Sequence, residues 1–488
     1  MLVILPVVAV LAVSLHRSGH TWGDDFTLYL RQAKSLVDGN VGQVISDNHF
    51  NVNNAARPSF SPYVYPWGFP VLLAPFLRLF GLAYGRLKLV EVACMVGFLW
   101  CFHEVIRRRT HRWVAVGIVA SLGTTLYYLL HTDVLLSEYP YMFAAAATLW
   151  WLDRCRRNGP LHHAPRNELI VLGLLAMVVF NTRREGLAMV PAIAAVQLLD
   201  LRGSWRGADR RRIATPYVTF ATSVVLLQFM LPSALAPEYA GSGLGQTWKK
   251  LKGPFRIAFG DQLGLPGMKG IALLAVFLLV VAGIVVRLRA APADDAGLAV
   301  FAAGSMVLVG MIPAVDERYL MAVTPFGLYF AMQAVAAIPL PRPVLRSVPR
   351  DTAAWLAAAL LAALVVVNIS RLPTPISDAR AFDRSGQIVD GPAAPYVQPA
   401  WSAVRTYTHQ DDVVAFFKVR ALTLYTDRRG VQSSDLEIVR ERADYYLMRK
   451  GRSTGQPLVT DTQAASLGWA NVWSDDSWVL WRVNRPAG

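Results

Sequence analysis

Apolar residues run in blocks along most of this chain, separated by short polar connections. The blocks at 1–16, 85–106, 113–131, 139–153, 168–181, 187–200, 213–232, 269–287, 297–313, 320–340 and 353–370 each approach the roughly 20 residues an α-helix needs to cross a bilayer. They predict a membrane all-α fold, a polytopic helical bundle of about eleven spans. Residues 17–84 follow a different pattern. In FTLYLRQAKSLVDG, Phe26, Tyr29, Leu30, Ala33, Leu36 and Val37 share one helical face and Gly39 is a stop signal. That predicts a helix lying in the membrane interface. YPWGFPVLLAPFLRLFGL holds three prolines and is interrupted by Arg78, so it suits a second interfacial or re-entrant helix better than a span.

Beyond residue 370 the runs shorten and alternate: VVAFF at 413–417, DYYLM at 444–448 and NVWSDDSWVLWRV at 471–483. The last predicts two strands around a turn at Ser474–Ser477. The expected division is a transmembrane domain, 1–370, whose first extracytoplasmic loop is 17–84, and a small extracytoplasmic α/β domain, 371–488. That tail is long enough for a modest core.

Composition agrees with a membrane protein: 54% hydrophobic and 17% charged residues, with mean hydropathy +0.36. The net charge of +15 would by itself suggest nucleic acid, but the bases are confined to short loops. These hold Arg107, Arg108, Arg109 and Arg112; Arg154, Arg156 and Arg157; Arg202, Arg206, Arg210, Arg211 and Arg212; and Arg342, Arg346 and Arg350. This is the positive-inside pattern, and it argues against a nucleic-acid partner. With the N-terminus inside, alternation puts every one of these loops in the cytoplasm and the C-terminal domain outside the cytoplasmic (inner) membrane. Acids near the membrane fall on the opposite side: Asp24, Asp25, Asp133, Glu138, Glu185, Glu238, Asp261, Asp316 and Glu317. A transporter would hold some of them mid-span; here they gather at the outer ends of spans, around one cavity. The N-terminal block lacks a basic n-region and a small-x-small cleavage site, so a signal peptide is not expected. Cys94, Cys101 and Cys155 read as small apolar residues, not as a disulfide framework.

An acidic pair after the first span, an amphipathic helix behind it and a Tyr-Pro-rich segment together resemble the GT-C superfamily. Its members are integral-membrane glycosyltransferases that use polyprenyl-phosphate sugars. GDDFTLYLRQAKSLVDGN is similar to the first-loop motif of the protein mannosyltransferase and aminoarabinose transferase branches. There an Asp-Glu pair precedes a Tyr; here Asp24-Asp25 precedes Tyr29. YPWGFPVLLAPFLRLFG resembles the Pro-rich juxtamembrane stretch, and HTDVLLSEYPYMF, with Ser137-Glu138-Tyr139-Pro140, the second-loop motif. NTRREGLAMVP resembles the Arg-x-Glu-Gly turn, DERYLMAVTPF the Arg-Tyr-Leu-x-x-x-x-Pro segment, and VRALTLYTDRRGV the extracytoplasmic domain of many bacterial members.

The resemblance implies an inverting transfer of a sugar from a polyprenyl monophosphate to a hydroxyl acceptor (a glycolipid, a cell-wall polysaccharide or a protein) on the outer face of the membrane. A lipid phosphate is a good leaving group and needs no acid. A base within reach of the acceptor hydroxyl is needed, and a neighbouring carboxylate plus partial burial raises a base's proton affinity. By carry-over Asp24 is that base and Asp25 orients it or the acceptor, with Glu138 as a third catalytic candidate. The leaving phosphate gains charge, so cations are expected beside it. Arg318 ranks first because it matches the Arg-Tyr segment, followed by Arg183, Arg184, Lys249 and Arg57. Lys250 neighbours Lys249 in a glycine-rich loop. Tyr29, Tyr65, Asp133 and Glu185 are candidates for acceptor or sugar binding.

Simpler roles compete. Asp24 and Asp25 suit a helix N-cap, Glu138 and Asp133 could be ordinary loop acids, Arg183, Arg184 and Glu185 could form a structural salt bridge at a tight turn, and Arg318 could pair with Asp316 or Glu317. His20, His49 and His131 lie near acids, which leaves room for a divalent cation, but their spacing matches no ligand set and no metal residues are assigned. The alternative function is a transporter, a flippase or a non-catalytic binder of lipid-linked sugars.

Overall fold

The computed structural model describes residues 1–55, 62–202, 209–235, 253, 255–312, 316–338, 352–452 and 454–484. Arg57, Arg206, Glu238, Lys249, Lys250, Arg342, Arg346 and Arg350 lie outside these residues. The apolar blocks become α1 (Ile4–Val13), α5 (Tyr84–Ile106), α6 (Arg112–Thr124) with α7 (Leu126–His131), α8 (Glu138–Cys155), α9 (Arg166–Thr182), α10 (Met189–Asp200), α11 (Arg210–Met230), α12 (Gly270–Ala290), α13 (Pro292–Gly310), α14 (Thr324–Ala336) and α15 (Thr352–Ser370). Among the described residues, five helical segments are long and apolar enough to cross a membrane: α5, α11, α12, α13 and Thr352–Arg384. The other blocks form shorter or more polar helices, so helix length and composition alone fall short of the expected eleven. A helix as short as α6 rises about 20 Å, less than the hydrocarbon thickness. It breaks at Thr125, whose backbone is extended (φ −68°, ψ 126°), and α7 continues beyond it.

The helices pack in pairs: α5 on α8, α9 on α11, α10 on α13, α12 on α14 and α6 on α15. Small residues let two of these pairs approach closely. A Cβ on Gly283 of α12 would lie 1.8 Å from the Phe330 carbonyl oxygen, and one on Gly173 of α9 would lie 2.5 Å from that of Pro216. At one end of the bundle the basic loops meet acids. Arg109 pairs with Asp153, Arg156 with Asp200 at 3.0 Å and Asp294 at 3.1 Å, and Arg287 with Asp295 at 2.7 Å.

The opposite end carries the segment 17–83 and the C-terminal sheet. The first of these holds α2 (Asp25–Asp38), α3 (Val41–Asn54) and α4 (Gly68–Phe80). Helix α2 ends where expected, at Gly39 in the left-handed conformation (φ 73°). Protein covers more of it than its apolar face. Phe26, Tyr29, Leu30 and Ala33 are buried, but so are Thr27, Arg31, Gln32 and Ser35, while Leu36 and Val37 are only half-buried. Helix α4 covers one side of α2 and α18 (Val419–Thr426) packs against another. An amphipathic pattern reports a buried face, not whether lipid or protein buries it. Helix α3 was not expected, because VGQVISDNHFNVNN is polar. Its Asp47 is buried between Arg31 of α2 at 2.7 Å and Arg429 at 2.9 Å.

The C-terminal sheet has the order β2-β1-β3-β5-β4, with β1 (Val413–Ala415) parallel to β2 (Arg429–Val431) and β3 (Tyr445–Arg449). Strands β4 (Ala470–Ser474) and β5 (Trp478–Arg482) form the expected hairpin. In its turn Asp475 accepts from the amides of Ser477 and Trp478, both at 2.7 Å. Alternate residues serve two cores. Val414, Leu447, Trp478 and Leu480 face α17 (Gln398–Tyr407), while Val413, Tyr446, Met448 and Trp481 face the other side.

Candidate active site

The loop before α2 is held by Trp22, whose ring lies 5.0 Å from that of Phe417 and whose indole N–H donates to Asp390 at 3.0 Å. Asp24 follows at the N-cap position, but its side chain accepts no bond from the helix. Its Oδ2 instead accepts from Lys418 Nζ at 2.9 Å, and its Oδ1 is buried without a partner. The capping role suggested by residue type is therefore not the one Asp24 performs.

Asp25 is doubly held. Its Oδ1 accepts from the Tyr65 hydroxyl and its Oδ2 from Arg318 Nη2, both at 2.6 Å. Its side chain is 31% exposed although protein surrounds it, so it lines a recess. Burial pushes its carboxyl upward, but Arg318 and the Tyr65 hydrogen bond outweigh that and hold it below the usual carboxylate range. The carboxylate pair was expected to raise proton affinity; at Asp25 the arginine reverses the sign. Asp25 is thus built to hold Arg318 and Tyr65, not to take up protons near neutral pH.

Glu138 opens α8. Its Oε1 accepts from Arg183 Nη1 at 2.7 Å and lies 3.7 Å from Arg318 Nε, while its Oε2 is buried and unpartnered. Arg183 also donates to Glu185 at 3.1 Å, and Arg318 pairs with Asp316 at 3.2 Å. Both guanidinium groups lie over the Tyr319 ring, at 4.8 and 5.3 Å, a favourable cation–π placement. Tyr29 bonds Ser137, the residue before Glu138, at 3.0 Å, and its ring lies 4.7 Å from that of Tyr65. His131 stacks with Tyr127 within electrostatic reach of Glu138 and Arg318, and its Nε2 is buried without a partner. Arg318 Nε makes no aligned hydrogen bond either. Among the described residues, Asp24 Oδ1, Glu138 Oε2 and His131 Nε2 of this cluster are thus left without a partner, and each would cost about 1–3 kcal/mol if it stayed so. A polar ligand with several donors and acceptors would satisfy them.

Two candidates fall outside the cluster. Arg184 donates to the Ala234 carbonyl and the Ser233 hydroxyl, both at 2.6 Å, and lies over Phe180. It secures the chain after α11 and does not face the acids. Asp133 was expected to bind acceptor or sugar, but both its oxygens are taken: Lys88 Nζ lies at 2.7 Å, the Arg17 amide at 3.0 Å and Arg17 Nε at 3.3 Å. Lys88, fully buried, also donates to the Arg17 carbonyl at 2.8 Å. This clasp fastens the first loop to the second. Lys88→Met would strand a buried charge, which typically costs about 3–5 kcal/mol. The expected result is a lowered thermal midpoint of the detergent-purified protein, partly restored by adding Asp133→Leu. An unchanged midpoint would show that the clasp contributes nothing net.

The histidines have other work. His20 stacks on Phe26 at 3.6 Å, and its ring nitrogens engage the Thr21 carbonyl and the Leu135 amide, each at 3.0 Å. Burial lowers its pKa to about 4. His49 stacks on Tyr63 at 4.0 Å. Among the described residues, no group of three or more His, Cys, Asp and Glu side chains is placed to hold a metal ion.

Two basic residues of the site were missed. Lys418 and Arg420 come from the C-terminal sheet region. Arg420 donates to the Pro62 carbonyl at 2.9 Å and lies over the Tyr65 ring at 5.4 Å. Their signal was slight: Lys418 directly precedes VRALTLYTDRRGV and Arg420 is its second residue, in a stretch read as marking a domain.

No family model matches the sequence, and no curated protein matches it. Solved structures do match. ArnT from Cupriavidus metallidurans in the apo state gives a TM-score of 0.59 at 14% identity, covering 98% of this chain and 97% of that one. The same protein bound to undecaprenyl phosphate gives 0.56 at 12% identity, with the same coverage. The Archaeoglobus fulgidus oligosaccharyltransferase in complex with Zn and sulfate gives 0.54 at 12% identity, over 91% of this chain and 68% of that one. Identities this low establish a shared fold. It is the polytopic membrane arrangement that the order of the motifs resembles.

Proposed function

We propose that this chain is a GT-C-type glycosyltransferase of the cytoplasmic membrane. It moves a sugar from a polyprenyl monophosphate to an acceptor hydroxyl, with inversion at C1. The observation that carries this reading is Asp24 Oδ1, a buried carboxylate oxygen without a partner among the described residues, next in sequence to Asp25, which holds Arg318. Undecaprenyl phosphate is bound in one of the matching structures, and we extend that class of carrier to this chain.

In the proposed reaction the acceptor hydroxyl donates to Asp24 Oδ1 and attacks C1 from the face opposite the phosphate. The C1–O bond to phosphate breaks, the electron pair leaves with the phosphate, and the acceptor's proton passes to Asp24. Asp25 keeps Arg318 aimed at the recess and Glu138 keeps Arg183 there, so the cations that stabilise the departing phosphate are in position before it forms. Arginine suits this task because its fork meets two phosphate oxygens at once. We place the acid cluster and residues 371–488 outside the cell membrane and the N-terminus inside, as the distribution of basic loops supports. The acceptor belongs to the cell envelope.

The test is to supply labelled polyprenyl-phosphate sugars to membranes containing the protein. The expected result is sugar transfer with release of one free polyprenyl phosphate per sugar moved. Intact sugar lipid appearing in the opposite leaflet, with no cleavage, would support the flippase alternative and end the enzyme reading. A chelator arm tests whether a divalent cation accompanies the donor.

A further inference from the structure

Lys418 occupies an unusual position. It comes from the C-terminal sheet region, yet its ammonium lies 2.9 Å from Asp24 Oδ2, 394 residues away in sequence. Both ends of this ion pair are fixed. Strand β1 runs into Phe416 and Phe417, which are buried, and the Phe416 amide donates to the Val431 carbonyl at 3.1 Å. Phe417 packs on Trp22, two residues before Asp24. Just past Lys418, α18 is tied to the first-loop region by Lys34–Asp427 at 3.0 Å and Tyr84–Tyr425 at 2.7 Å. The Asp24 side chain is 10% exposed and that of Lys418 25%. The cation is therefore delivered into the recess, not left as a loose surface charge.

The charge balance of the transfer gives this cation a task. Before reaction Asp24 is an anion paired with Lys418, and the donor phosphodiester carries one negative charge. As the acceptor oxygen bonds to C1, its proton goes to Asp24 and the C1–O electron pair goes to the phosphate. Asp24 becomes neutral in the same step in which the phosphate gains its second charge. The Lys418 ammonium loses its counter-ion at the moment a new anion appears on the far side of C1, in the same recess. We infer that Lys418, once Asp24 is neutral, directs its unpaired charge across the recess to the departing polyprenyl phosphate and stabilises that dianion more than the donor. This rests on the glycosyltransferase reading, and adds that a residue of the C-terminal region is part of the transfer machinery.

Selective stabilisation of the charged product separates this role from a structural one. The experiment compares the native protein with Lys418→Met and Lys418→Arg. It measures kcat, the donor KM, and the inhibition constant of polyprenyl monophosphate, with thermal midpoints recorded for each. In Lys418→Met, kcat should fall about thirtyfold and the inhibition constant for polyprenyl monophosphate should rise about tenfold, the scale of one charge-assisted contact. The donor KM should stay within about threefold. Lys418→Arg keeps the charge and should recover much of both losses, even if Lys418→Met proves less stable.

Unchanged kcat and inhibition in Lys418→Met would overturn the inference. So would a donor KM that rises in step with the inhibition constant, which would make Lys418 a general binding contact. Failure of Lys418→Arg to recover either loss would point to packing. If the native protein neither transfers sugar nor binds polyprenyl monophosphate, the glycosyltransferase reading itself falls. Native transfer with an indifferent Lys418 removes only this inference.

Discussion

Asp24→Asn is expected to reduce sugar transfer by about a hundredfold or more, the contribution of a well-placed general base. Asparagine keeps the size of the side chain and can still meet a hydroxyl, but it cannot accept the proton. The fold should tolerate the change: the Asp24 side chain makes no helix cap and, among the described residues, its carboxylate pairs with Lys418 alone. The loss should therefore appear in kcat at an unchanged thermal midpoint, measured with saturating donor and acceptor. Asp25→Asn provides the contrast. Its oxygens hold Tyr65 and Arg318, so weaker donor binding should accompany its loss of rate. If Asp24→Asn transfers sugar at the native rate, the base lies elsewhere and Glu138, with its unpartnered Oε2, becomes the first candidate.

The second large effect is expected at Arg318. Arg318→Gln should lower kcat by about 10² to 10³, the usual consequence of removing a preorganised donor to developing negative charge. Arg318 meets Asp25 at 2.6 Å, Asp316 at 3.2 Å and Glu138 at 3.7 Å. Its removal therefore leaves three carboxylates crowded, and some stability will be lost as well. Arg318→Lys separates the two effects. A lysine keeps the charge near the acids and should preserve the thermal midpoint, but it lacks the two-pronged geometry and should recover only part of the rate. Full activity in Arg318→Lys would show that point charge suffices. Full activity in Arg318→Gln would remove Arg318 from the donor site.

The long-range order of the fold was legible because it is written in one dimension. Hydrophobic blocks and their intervening arginines give alternation, and alternation places Asp24, Asp25, Glu138, Arg183 and Arg318 at one end before any contact is known. The hairpin at Asp475 was legible for the same local reason. What escaped was whatever depends on partners distant in sequence. Helix α2 was given the right boundaries but not its packing, since Arg31 and Gln32 look solvent-facing until α3 and residue Tyr65 satisfy them. Asp133 looked like a free acid because Lys88, buried within an apolar helix, gave no hint that its charge was committed. Lys418 could not be assigned at all: only the folded chain reveals that the sheet region points a cation at the first loop.

That contact across 394 residues also bears on how the protein is made. Asp24 leaves the ribosome 394 residues ahead of Lys418. Between them lie helices α2 to α17, and the sheet region must fold before the pair can close. A chain halted before that point can hold its acids and arginines in the bilayer without the cation that completes them. On the glycosyltransferase reading, completion of the chain therefore acts as a checkpoint on reactivity, because a partly built chain has no finished site.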